Sequence, residues 1–129
     1  MQTLDDLIAS RREWIERVLK PWCRAAALND LREAEADWQN LAGGVDPAAT
    51  LWAWAWARFP ALVHGELAAV DESREIRVTL RDGRVVTGYP DARQSQRGRL
   101  VVVAPRAGSR GFDEHGPFAI DDIVSITTP

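Results

Sequence analysis

The sequence predicts an α+β fold in which N-terminal helices pack on a small, five-stranded antiparallel β-barrel. Three observations carry this expectation. All six tryptophans (Trp14, Trp22, Trp38, Trp52, Trp54, Trp56) fall within the first 56 residues, among alanines, leucines and helix caps. Short β-branched runs separated by turn residues crowd the chain after residue 62. The charge divides the same way: residues 1–72 hold 7 Arg and Lys against 12 Asp and Glu, whereas residues 73–129 hold 9 Arg against 7 Asp and Glu. Two segments of different composition read as two layers, a Trp-rich helical region over 1–61 and a barrel over 62–129, joined in one compact unit.

Leu4, Leu7, Ile8, Trp14, Ile15, Val18, Leu19 and Trp22 recur at the three- and four-residue steps of an amphipathic helix, predicted over 4–20. Thr3 is its cap, Asp5 and Asp6 suit the positive end of the dipole, and Pro21 should kink or end it near Lys20. A second helix is expected within 22–41, with Leu31, Ala34, Trp38 and Leu41 on one face, stopped by Gly43 and Gly44. The third, over 47–58, starts at Asp46-Pro47 as N-cap and first turn. Its tryptophans alternate as in a strand, but alanine spacers and the preceding cap favour a helix. There Trp52 and Trp56 share a core face and Trp54 points away.

Five strands are expected near 66–70, 76–80, 85–89, 100–103 and 120–126, with polar loops over 90–98 and 105–116. Asp82-Gly83, set between alternating hydrophobics, signals a tight hairpin turn. Five short strands in about 65 residues favour a closed barrel over an open sheet.

The stretch Leu80-Arg81-Asp82-Gly83-Arg84-Val85-Val86-Thr87-Gly88 resembles the first motif of the small SH3-like and Sm-like β-barrel families, and Phe118 through Ile126 is similar to the last strand pair of YolD-like and Rho-antiterminator-like barrels. The resemblance covers residues 66–127 at most and implies a barrel, with nucleic-acid regulation as one inherited role. The acidic and amide residues of the Sm-like RNA site have no counterparts: 91–96 reads Asp-Ala-Arg-Gln-Ser-Gln, and Asp121-Asp122 replaces an Arg-Gly pair.

At 46% hydrophobic and 27% charged residues, the chain has an average globular composition. A single cysteine, Cys23, excludes an internal disulfide and a multi-thiolate metal site. With no apolar run of about 20 residues and no charged-then-apolar leader, a cytoplasmic location away from membranes is expected. His64 reads as a packed or capping histidine, and Asp113-Glu114-His115 as a solvated loop, so neither metal nor cofactor is expected. No phosphate-cradling glycine loop and no nucleophile with an activating partner is visible, which predicts a non-enzymatic binding or adaptor protein.

Two surfaces are candidates for that binding. Trp54, on the outer face of the third helix, is a potential anchor for a protein partner or a second copy. Arg93, Arg97, Arg99, Arg106 and Arg110 form an acid-free series whose loops, if they meet at one barrel end, offer a positive patch. The alternatives are a nucleic-acid-binding Sm-like regulator using those arginines, and a small acidic immunity-type inhibitor acting through residues 1–46.

Overall fold

The computed structural model describes residues 3–63, 70–108 and 110–129. His64 and residues 66–69 of the expected strand lie outside them; its last residue, Val70, is described and forms an antiparallel bridge with Val63.

Helix α1 (Leu4–Trp14) opens with a capping box: the Thr3 hydroxyl accepts from the Asp6 N–H, and the Asp6 carboxylate accepts from the Thr3 N–H. The helix does not stop at Pro21. It widens into a π-turn at Ile15–Leu19, where the Lys20 N–H reaches the Ile15 carbonyl, and resumes as α2 (Lys20–Ala25). The wider turn accommodates the proline, whose ring would collide with the carbonyl four residues back in a regular helix. Of the kink or end expected near Lys20 there is no end: helix 4–25 runs through the π-turn past the boundary expected at residue 20.

The helix expected over 22–41 is broken instead. Ala26 and Ala27 are extended, α3 runs Leu28–Ala36, Asp37 departs from helical geometry, and α4 runs Trp38–Ala42. No local side chain caps α3; Asp121, 93 residues away, accepts the Leu28 N–H with both carboxylate oxygens at 2.9 and 3.1 Å. The third helix forms as a 3-10 turn at Pro47–Ala49 followed by α5 (Leu51–Trp56), with Asp46 capping as expected.

The strands are β1 (Ile76–Leu80), β2 (Val85–Pro90), β3 (Arg99–Pro105), β4 (Phe112–Ala119) and β5 (Ile123–Thr127). β1 and β2 pair antiparallel about Asp82-Gly83, with Gly83 at φ +91° as the hairpin requires. β4 occupies sequence expected to be loop. It is an edge strand, largely exposed and containing Pro117, and only an edge tolerates a residue without an N–H. The span 120–126 begins as a 3-10 turn, Ile120–Asp122, before β5.

The sheet order is β4-β3-β2-β1-β5, entirely antiparallel, and no ladder among the described residues joins β4 to β5. The closed barrel is therefore corrected to an open five-stranded sheet. Its inward side chains, including Ile76, Val78, Leu100 and Val102, share one core with Leu31, Trp38, Trp52, Trp56 and Leu62. Helices fill the space that a further wall of a barrel would close. Among the described residues no helix is long and apolar enough to cross a membrane.

Candidate functional site

The tryptophans sort by helix face. Trp52 and Trp56, one turn apart on α5, are 5% and 2% exposed, and Trp38 is 2% exposed with its indole N–H donated to the Thr50 hydroxyl at 3.0 Å. Trp54 is half-buried rather than presented to solvent. Its ring meets Trp38 edge-on at 5.9 Å and lies beneath the Lys20 ammonium at 5.4 Å. Trp54 therefore ties α5 to helix 4–25 and offers only part of its ring to a partner.

The solvent-facing tryptophans are Trp14 and Trp22, at 39% and 42% exposure, together with Leu4, Leu7, Ile8 and Val18. All six belong to helix 4–25. No described residue of α1 is buried, whereas Leu19 and Cys23 further along carry the helix into the core. At about 100° per residue, Leu4, Leu7, Ile8 and Trp14 fall within roughly a third of the circumference of α1. Arg11 lies within this stripe, its guanidinium beside Gly43 of the same chain, while Asp5 and Arg12 flank it. The sequence displayed this stripe openly, but periodicity cannot tell a face that packs on its own core from one left exposed.

The five arginines do not converge. The 91–98 loop enters β3 at its start and the 106–111 turn leaves it at its end, so antiparallel pairing separates Arg93, Arg97 and Arg99 from Arg106 and Arg110 by the length of the strand. Two are neutralised: Arg97 pairs with Glu35 at 2.9 Å and Arg106 with Asp113 at 3.0 Å. The single positive patch expected from these loops is corrected to two separated, partly paired groups.

Glu35 also accepts from the Trp52 indole N–H, so one carboxylate joins α3, α5 and the loop before β3. Arg97 holds φ +53° beside Gly98 at +79°, and a side chain at residue 98 would collide with Leu28 and Trp52. An open groove of about 520 Å³ lies over Trp52, Ala53 and Trp56, with Glu35 and Arg97 at its rim. That ion pair is satisfied within the protein.

Asp113, Glu114 and His115 alternate along β4. Asp113 turns to Arg106 and Glu114 to Gln94, so they do not converge, and among the described residues no group of three His, Cys, Asp or Glu side chains is placed to hold a metal. Cys23 is fully buried, and burial pushes its thiol up to about 11, against the opposing pull of Arg58. Comparison of the chain with known protein families, curated proteins and solved structures returned no match.

Proposed function

We propose that this protein is a non-enzymatic binding or adaptor protein whose partner-facing surface is the exposed apolar side of helix 4–25. The observation that carries the reading is the set of six large apolar side chains left in solvent along one helix. Contiguous apolar surface of this kind mediates association, and two exposed tryptophans are suited to anchoring it. The Arg-bearing loops are secondary contacts, because their charges are split between two ends of the sheet and two are internally paired. The Asp82-Gly83 hairpin and the pairing of β1 with both β2 and β5 support placing the C-terminal half with the small SH3-like and Sm-like barrels, in an open form.

A photo-cross-linking residue introduced at Ile8 in cells tests the reading. A discrete protein cross-link is expected from Ile8 and none from the exposed control position Glu13 on the far side of the helix. Absence of any cross-link from Ile8, with salt-sensitive nucleic-acid binding abolished by Arg93→Ala and Arg99→Ala, would replace it with the nucleic-acid alternative.

A further inference from the structure

Resting on that reading, we infer that the occupant of the α1 face is a second copy of this chain, bound antiparallel through α1. The first argument is that α1 lacks cover. It is the first 11 residues of the continuous helix 4–25, about 16 Å, and buries none of them. A helix so placed is consolidated by whatever packs on Leu4, Leu7, Ile8 and Trp14.

The second argument is charge. Asp5 and Asp6 lie in the first turn and Arg11 and Arg12 in the last. Asp5 and Arg12, seven residues apart, lie on the same flank of the apolar stripe. An antiparallel copy with its two-fold axis near the middle of α1 brings each Asp5 to the other chain's Arg12, and Leu4 to the other chain's Trp14. A parallel copy would set aspartates beside aspartates and arginines beside arginines. The face is self-complementary in one direction only, as an isologous contact must be.

The third argument is size. One face of α1 offers an interface at the small end of specific complexes, below about 1,200 Å² in total. The association is therefore a reversible, concentration-dependent dimer.

Sedimentation of the full chain between about 1 µM and 1 mM tests this. Wild type should pass from monomer to dimer, and Leu7→Glu should remain monomeric with unchanged thermal stability, since Leu7 is 51% exposed within one chain. Asp5→Arg and Arg12→Glu should each weaken self-association by roughly tenfold, two repulsions replacing two attractions. Mixed in equal amounts they should associate as wild type does, because both contacts are then complementary again. Wild type that stays monomeric, a dimer indifferent to Leu7→Glu, or a mixture that fails to recover overturns the inference. A monomer that still yields a heterologous cross-link at Ile8 overturns only the second copy and leaves the binding reading standing. A dimer formed elsewhere, with Ile8 silent, removes both.

Discussion

Arg58, Asp121 and Cys23 meet where α2 ends. The Arg58 guanidinium donates to the Cys23 and Ala26 carbonyls at 2.9 and 2.8 Å, satisfying acceptors that a helix end leaves open. Burial pulls its pKa below the ordinary range and the Asp121 charge works against that shift. The Cys23 thiol gives a pH test. Its folded pKa of about 11 exceeds the ordinary 9.0, so between these values the folded chain keeps a proton that the unfolded chain sheds. Stability should be full below pH 9 and fall by about 2–3 kcal/mol on approaching pH 11. Urea titrations across that window should show the loss, and Cys23→Ala should flatten it. The tryptophans give a second test: Trp52→Ala and Trp56→Ala should each cost roughly 3–5 kcal/mol in denaturant melts. Trp54→Ala should cost less, because its ring is only half enclosed. The pairing of Trp52 with Trp56 was legible from a four-residue spacing. The burial of Trp54 was not, since it depends on Trp38 and Lys20 arriving from other helices.

At the scale of elements, the sequence was informative wherever signals are local. Thr3 and Asp6, Asp46-Pro47 and Asp82-Gly83 each mark a start or turn within four residues, and each forms as read. It misled where the partner is distant. Nothing near Leu28 announces a helix start, because the cap is Asp121. β4 looked like loop because 105–116 is polar and glycine-bearing, although an edge strand accepts such a composition, including the Pro117 that follows. Asp121→Ala should therefore destabilise the fold by about 1–2 kcal/mol, the cost of a lost N-cap. Asp122→Ala, at an exposed side chain with no bond of its own among the described residues, should change stability by less than about 0.5 kcal/mol. Chemical denaturation of the two variants makes the comparison, and equal effects would mean that the Asp121 cap is not the determinant.

For the molecule as a whole, the division into a Trp-rich half and a β-branched half is visible in composition, yet the two halves share one hydrophobic cluster. Trp52 packs beneath Gly98, Glu35 holds Arg97, and Asp121 caps α3, so neither half completes itself. Tryptophan fluorescence, which reports the helices, and backbone dichroism should accordingly follow a single unfolding transition. Two separated transitions would show that the halves are autonomous. The open sheet also follows from this sharing. Periodicity identifies strands and which faces they bury, but whether the buried face meets another strand or a helix is decided by elements far away in the chain.

The borrowed cap has a consequence for synthesis. A nascent chain emerges from its N-terminus, so the helices leave the ribosome well before residue 121. Until then the Leu28 N–H and the junction at Ala26–Ala27 lack the carboxylate that orders them. Unfinished chains should keep an incompletely docked, tryptophan-rich segment within reach of chaperones, and a ribosome stalled short of residue 121 should display it as protease-sensitive.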